Sequence, residues 1–91
     1  MSVTVRIPTQ LRSLTGGASE VAVEPGTVAE VLKQLDTAHP GFAERVFDDS
    51  GALRRFVNVF VADEDIRFLQ NLDTPVATGQ VVSVVPAVAG G

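Results

Sequence analysis

The sequence predicts an α+β fold, in which one mixed sheet of about five strands is covered by one main helix. Two short strand patterns open the chain, and a single amphipathic helix pattern follows them. Apolar runs with strand periodicity then fill the second half of the chain. A helix that lies between two groups of strands packs on one face of a single sheet, because both elements must bury an apolar face.

Short runs of alternating apolar residues indicate the first two strands. Val3, Val5 and Ile7 alternate with polar side chains, which is typical of a strand with one buried face. Residues 21–23 form a second apolar run between two glutamates, and residues 15–17 supply turn-forming glycines before it. The two strands are therefore predicted to form a hairpin.

The segment after Pro25 and Gly26 carries the strongest helical signal. Thr27 and Glu30 match a capping box, in which the threonine accepts a bond from the amide of the glutamate and the glutamate reaches back. The run 39–41, His-Pro-Gly, predicts the end of the helix. The apolar stripe with i, i+3, i+4, i+7 spacing consists of Val28, Val31, Leu32 and Leu35.

The second half of the chain predicts a short helix at 42–47 and a loop at 48–54. Three strands follow the loop, with a turn of three acidic residues after the first of them. The strands are predicted at 55–62, 66–68 and 81–85, and the turn at 63–65. This order brings the first and last strands side by side near the middle of the sheet, through a right-handed crossover. The arrangement is the β-grasp, or ubiquitin-like, fold.

Composition excludes several classes of function. The chain has 91 residues, no cysteine and one histidine, so a disulfide framework, a zinc ribbon and a cysteine nucleophile are all excluded. The net charge of -4 argues against nucleic acid as a partner. The N-terminal residues do not resemble a signal peptide, and no apolar run is long enough to span a bilayer. We expect a cytoplasmic protein with no membrane partner, no metal and no catalytic residue of its own.

The last residues carry the unusual chemical feature of the sequence. Gly90 and Gly91 follow the last predicted strand after a short, apolar, uncharged segment. An ionised α-carboxylate can attack the α-phosphate of ATP to form an acyl-adenylate. Glycines suit this role because a tail without Cβ atoms can enter a narrow channel and leave its carbonyl carbon open to attack. We predict a β-grasp domain at 1–86 and a flexible tail at 87–91.

The tail VVPAVAGG and the block FVNVFVADEDIRF at 56–68 together resemble the small ubiquitin-like sulfur carriers. The resemblance extends over the whole chain, and the layout is most similar to the carriers of cysteine biosynthesis. It implies that an adenylating sulfurtransferase enzyme uses ATP to activate Gly91 and convert it to a thiocarboxylate. It further implies two later partners, a pyridoxal-phosphate-dependent cysteine synthase and a zinc-dependent peptidase that releases cysteine. The chain is then a covalent co-substrate that binds none of these cofactors itself.

Two surfaces are expected to meet these partners. The tail residues expected to thread into the partner enzymes are Ala87, Val88, Ala89 and Gly90. Asn58 is an unsuitable core residue, so the valines of its strand are expected to face the helix. Phe56 and Phe60, together with Val85 on the last strand, would then form an exposed apolar patch beside the tail, unless the 69–78 loop covers a phenylalanine.

Other functions fit the same motifs. The small subunit of molybdopterin synthase and the thiamine-pathway carriers have similar tails, as do archaeal small modifier proteins. A protein modifier would have Gly91 joined to lysines of other proteins, and Lys33 is the only lysine available for self-linked chains. A third alternative is an interaction module of the β-grasp fold whose tail takes part in no reaction.

Overall fold

The structure is a computed structural model that describes residues 2–86. The strands are β1 (Val3–Arg6), β2 (Glu20–Val23), β3 (Gly26–Thr27), β4 (Val57–Val61), β5 (Glu64–Asp65), β6 (Pro75–Val76) and β7 (Val81–Pro86). The helices are α1 (Val28–Ala38) and α2 (Phe42–Val46), with short 3-10 segments at Thr9–Thr15, Ile66–Phe68 and Asn71–Asp73. None of the helices in the described range has the length and apolar character to cross a membrane.

Five strands form one mixed sheet in the order β2-β1-β7-β4-β5. β1 and β7 pair in parallel at the centre, with Val5 opposite Val82, and the other neighbours pair antiparallel. The predicted five-stranded sheet with the first and last strands adjacent is therefore confirmed. β3 and β6 form a separate two-stranded pair that the sequence did not predict.

The core lies between one face of this sheet and α1. Alternate residues of the central strands point into it, among them Val5, Val59 and Val82, which are fully buried. The helical stripe predicted at Val28, Val31, Leu32 and Leu35 is buried against them. The prediction of one main helix covering one face of the sheet is confirmed.

The capping box at the start of α1 forms as predicted. The Thr27 hydroxyl accepts a bond from the backbone N–H of Glu30 at 3.2 Å. In return, the Glu30 carboxylate accepts a bond from the backbone N–H of Thr27 at 2.9 Å. Two of the amide groups that a helix leaves unpaired at its N-terminus are thus satisfied by side chains.

Replacement of the cap, Thr27→Ala, is expected to lower the free energy of unfolding by about 1 kcal/mol, because the Glu30 amide loses its acceptor. Urea titration measures the change. Thr37→Ala is the matched control, since Thr37 is exposed on the same helix and bonds only to the Lys33 carbonyl one turn earlier. The control should stay within about 0.5 kcal/mol of the unsubstituted protein. Equal losses in the two variants would contradict the capping role.

The segment after β4 differs from the prediction in two places. Residues 66–68 are a 3-10 turn rather than a strand, because the Asp65 carboxylate accepts the backbone N–H of Arg67 at 2.9 Å and the Ile66 side chain enters the core. The turn lies at Ala62 and Asp63, both with positive φ, so it begins one residue earlier than the predicted 63–65 turn and leaves Glu64 and Asp65 in a strand. Positive φ at both central residues is typical of a two-residue hairpin turn. β5 therefore begins at Glu64.

The start of β4 and the connection from β1 to β2 also depart from the simple pattern. The backbone N–H of Val57 bonds to the Arg54 carbonyl at 3.0 Å, so residues 54–57 form a turn and the strand begins two residues later than predicted. The predicted hairpin of β1 and β2 is present, but a 3-10 segment that the sequence did not predict occupies its loop. Leu11 of that segment is buried, so the loop contributes to the core.

The loop at 48–54 is organised by the Asp48 carboxylate. It accepts the Ser50 hydroxyl at 2.7 Å, the Ser50 backbone N–H at 2.9 Å and the Ala52 backbone N–H at 3.1 Å. These bonds favour the charged form, with the Ser50 hydroxyl contributing most, and hold the pKa of Asp48 below its ordinary value of 3.8. Gly51, with a φ of 88°, allows the tight turn inside the loop.

Ser50→Ala is expected to raise the pKa of Asp48 toward its ordinary value, because it removes the bond that contributes most to the lowering. Carboxyl NMR titration measures the pKa directly. Because the folded pKa lies below the unfolded one, the loop's contribution to stability is present above pH 3.8 and is lost as the pH falls through the lowered pKa. Ser13→Ala, an exposed serine of the first 3-10 segment, is the control. An unchanged pKa in Ser50→Ala would contradict this account.

Candidate functional site at the end of strand β7

The candidate site is the end of the sheet at which β7 leaves the domain. β7 lies between β1 and β4, and its last residue, Pro86, pairs with Val57 at the start of β4. The predicted point of activation, Gly91, and the predicted threading residues 87–90 lie outside the described residues. The surface around Pro86 is therefore the described part of the molecule nearest in sequence to the predicted reactive end.

A depression of about 250 Å³ lies beside Pro86, and we call it the exit depression. Its floor includes Val57 and Val84, which are both 2% exposed. Leu11, which is 6% exposed, also lies on the floor, and the rim consists of Gln10, Arg45, Phe56 and Pro86. Aliphatic and aromatic surface thus surrounds the point where β7 ends.

The residues that line the depression come from four elements that the topology brings together: the first 3-10 segment, α2, the turn before β4, and β7. Leu11 is buried in the 3-10 segment between β1 and β2, while Phe56 lies in the turn before β4. Phe42 and Val46 bury the inner side of α2, so Arg45 projects to the outer side. Sequence reasoning did not place Arg45 at this end of the sheet. The burial pattern of α2 indicates its outward direction, but no local signal indicates its closeness to Pro86.

The three residues predicted as an apolar patch are divided by the structure: Phe56 and Val85 lie at this end of the sheet, whereas Phe60 lies near the far end of β4, where β5 pairs. Phe60 and Val85 sit on the outward-facing positions of β4 and β7, where Phe60 is opposite Ser83 and Val85 is opposite Asn58. Phe56 lies in the preceding turn, on the rim of the exit depression. Phe56 is 48% exposed and Val85 is 44% exposed, whereas Phe60 is only partly exposed. Their role in binding a partner stays a prediction.

The start of β4 is held in place by the Arg67 side chain. Its guanidinium donates to the carbonyls of Val57 at 3.0 Å and of Arg55 at 3.4 Å, and to the side-chain oxygen of Asn58. It also lies 3.8 Å from the Asp65 carboxylate. β5 pairs only with the far end of β4, so Arg67 satisfies carbonyl groups that no neighbouring strand reaches. This clamp orders the backbone on both sides of Phe56.

His39 and the acidic residues at 63–65 have structural roles. The backbone N–H of His39 bonds to the Leu35 carbonyl at 2.8 Å, which places this histidine at the C-terminal cap of α1. The acidic residues at 63–65 are divided between a turn and a strand. Within residues 2–86, no three histidine or acidic side chains come together as a metal site would require.

The sequence and the fold are similar to those of known sulfur carriers. CysO of Mycobacterium tuberculosis, a sulfur carrier protein, is 47% identical over 93 residues, and the alignment covers 100% of both chains. The matched chain in the crystal structure of the Amycolatopsis orientalis BexX/CysO complex has a TM-score of 0.91 at 43% identity, with 98% of this chain and 99% of that chain covered.

The fold is also shared with an archaeal modifier protein. SAMP1 of Haloferax volcanii, small archaeal modifier protein 1, has a TM-score of 0.84 at 30% identity, and the match covers 100% of both chains. These similarities confirm the β-grasp fold predicted from the order of elements. The sequence model of the ThiS family matches residues 5–91. Since this match and the full-length relatives agree, the chain belongs to the ThiS family of ubiquitin-like sulfur carriers.

Proposed function

We propose that this chain is a sulfur carrier for cysteine biosynthesis and that its Gly91 carboxylate is adenylated and then converted to a thiocarboxylate. The observation that carries the proposal is the 47% identity to CysO along the entire chain. In this function partner enzymes bind the domain at 1–86, and the tail at 87–91 enters their active sites. The chain is a covalent co-substrate in the cytoplasm and not itself an enzyme.

The activation takes place in two steps. A carboxylate oxygen of Gly91 attacks the α-phosphate of ATP, and pyrophosphate leaves as the acyl-adenylate forms. With hydrosulfide as sulfur donor, the sulfur attacks the acyl carbon, a C–S bond forms, and the C–O bond to AMP breaks. The products are the thiocarboxylate, AMP and one proton. Gly90 and Gly91 place no side chain at the reacting centre.

Transfer to cysteine then uses the thiocarboxylate as a nucleophile. The partner pyridoxal-phosphate-dependent cysteine synthase makes an aminoacrylate from O-phosphoserine by elimination of phosphate. The sulfur of the thiocarboxylate adds to its β-carbon, and the α-carbon takes up a proton. The amine of the product attacks the acyl carbon, so the acyl C–S bond breaks and an amide bond to Gly91 forms. A zinc-dependent peptidase hydrolyses this amide with water, releasing cysteine and restoring the Gly91 carboxylate.

We further propose that partners contact the patch of Phe56, Phe60 and Val85 while the tail residues 87–90 occupy the partner's channel. Two facts support this surface: Phe56 and Val85 are 48% and 44% exposed, and both lie close to Pro86, where the tail begins. Exposed apolar groups on a small domain tend to mark sites of protein association.

The proposal is tested by intact mass spectrometry of the full chain after incubation with its adenylating enzyme, ATP and sulfide. The expected result is a mass increase that corresponds to replacement of one oxygen by one sulfur. Cysteine synthase with O-phosphoserine should then give a carrier with one additional cysteine. If no sulfur is gained with a partner enzyme of proven activity, the carrier function is wrong. If sulfur is gained but no cysteine adduct forms, the molybdopterin synthase subunit is favoured.

A second candidate function, attachment of Gly91 to lysines of other proteins, is favoured by the similarity to SAMP1. Because Lys33 is the only lysine, this candidate predicts single attachments rather than lysine-linked chains. Mass spectrometry of proteins captured with a tagged carrier distinguishes it, because an isopeptide bond from Gly91 to a substrate lysine appears only in a modifier.

A further inference from the structure

We propose that the exit depression is a docking site for an acidic patch on the adenylating enzyme, in which a carboxylate of the enzyme pairs with Arg45 and an adjacent apolar side chain packs on Phe56. The inference rests on the proposed function and identifies the chemistry by which a partner recognises this carrier. It adds a charged contact to the apolar patch predicted from the sequence.

The position of the depression ensures that a partner lies close to it. Gly91 is five residues beyond Pro86, and Pro86 is on the rim of the depression. An extended chain spans at most about 3.6 Å per residue, so five residues reach roughly 18 Å. Any enzyme that holds the Gly91 carboxyl in its active site must therefore present its own surface within this distance of the exit depression.

The charge of the depression is opposite to that of the molecule. Arg45 is the single charged side chain among the residues that line it, whereas the whole chain has a net charge of -4. The net charge of the carrier repels an acidic patch on the partner, and Arg45 attracts it, although Glu44, Asp48 and Asp49 line a second depression that Arg45 also lines. Electrostatic complementarity of this kind orients an encounter and excludes wrong approaches more than it adds raw affinity.

The Arg45 charge is not used inside the described part of the domain. The two ion pairs within residues 2–86 involve Arg6 and Arg67, and no side-chain hydrogen bond of Arg45 is formed within that range. The neighbouring Arg54 differs, because its guanidinium donates to the Glu44 carbonyl at 3.1 Å and faces the Asp48 carboxylate. A guanidinium without an internal partner can form a bidentate pair with a carboxylate of another protein.

The apolar half of the site is Phe56. Its side chain is 48% exposed, although the Arg67 clamp orders the backbone on both sides of it. An aromatic side chain has few rotatable bonds and loses little conformational freedom when a partner covers it, and aromatic and arginine side chains dominate interface energetics. Arg45 and Phe56 therefore offer one cationic and one aromatic contact on the same rim.

The test compares two charge reversals, Arg45→Glu and Lys33→Glu, in thiocarboxylate formation by the adenylating enzyme of the same organism. Lys33 is exposed on α1, so Lys33→Glu changes the net charge equally at another place. For Arg45→Glu we expect KM for the carrier to rise at least about tenfold, because like charges then face each other. kcat should be retained, since the Gly91 carboxyl is unaltered. Lys33→Glu should leave KM within about twofold, because Lys33 does not line the exit depression and salt screens exposed charges that are not in contact.

A second comparison tests the aromatic half. Phe56→Ala is expected to raise KM, whereas Phe68→Ala, which truncates an 85% exposed phenylalanine away from the depression, should leave KM unchanged. Calorimetry without ATP measures the affinity of each carrier for the adenylating enzyme. This affinity reports docking independently of sulfur transfer. Thermal unfolding of each variant shows whether its fold is intact.

The docking site is overturned if Arg45→Glu and Lys33→Glu bind with equal affinity, or if Arg45→Glu lowers kcat and leaves KM unchanged. These outcomes differ from failure of the proposed function, in which the unsubstituted carrier gains no sulfur. Added salt should weaken binding of the unsubstituted carrier more than that of Arg45→Glu. The same salt dependence in both carriers would also contradict the pairing.

Discussion

Deletion of Gly91 is expected to abolish thiocarboxylate formation and to leave the folded domain unchanged. The deletion leaves a carboxylate on Gly90, but the chain is shorter by about 3.3–3.6 Å. Because a misplacement of about 1 Å at a reacting centre costs roughly a hundredfold in rate, the shortened tail should give no detectable product. The sheet should be unaffected, since its last strand ends at Pro86.

Mass spectrometry after incubation with the adenylating enzyme, ATP and sulfide measures the first effect, and urea unfolding measures the second. Gly91→Ala is the comparison variant because it keeps the chain length and adds only a Cβ atom. Gly91→Ala should form thiocarboxylate slowly. Comparison of the two variants therefore separates the effect of a shorter tail from the effect of a side chain beside the acyl carbon. A deletion variant that gains sulfur at the rate of the unsubstituted chain would show that this carboxyl is not the reactive group.

Phe42→Ala is expected to cause the largest loss of stability of any single truncation considered for this chain. Phe42 is the largest of the fully buried side chains, and it anchors α2 to the core. Truncation of a buried phenylalanine costs about 3–5 kcal/mol through lost burial and the cavity left behind. Domains of this kind are stable by only about 5–15 kcal/mol, so much of the folding free energy should be lost.

Urea titration of Phe42→Ala and Phe68→Ala provides the measurement and its matched control. Phe68 is 85% exposed, so its truncation should change the free energy of unfolding by no more than about 0.5 kcal/mol. Losses of similar size in the two variants would contradict the assignment of Phe42 to the core. Because α2 also carries Arg45, Phe42→Ala should disturb the exit depression as well as stability.

The elements that were predicted from sequence are those whose signals are local. α1 has a cap, an apolar stripe and a stop within one short segment, so its bounds follow from residues such as Thr27 and Leu35. The central strands are long enough for period-two alternation to show, as in Val57 to Val61. Their order in the sheet followed from the sequence of elements, since one helix between two groups of strands allows few arrangements.

The elements that were missed depend on side chains distant in sequence or on very short patterns. Ile66 to Phe68 reads apolar, polar, apolar, which suits both a strand and a 3-10 turn, and the Asp65 cap decides between them. β3 and β6 have two residues each, too few for any periodicity. The closeness of Arg45 to Pro86 arises only when α2 packs against the end of the sheet.

The central place of β7 determines how the domain responds to a pulling force. A partner that grips the residues beyond Pro86 loads β7 along its own axis. β7 is bonded in parallel to β1 on one side and antiparallel to β4 on the other, and the hydrogen bonds of both ladders point sideways from the direction of the force, perpendicular to β4 and slanted to β1. The hydrogen bonds must then break together in shear instead of one at a time. A pull on the residues beyond Pro86 is therefore resisted by both neighbouring strands, and the domain stays folded.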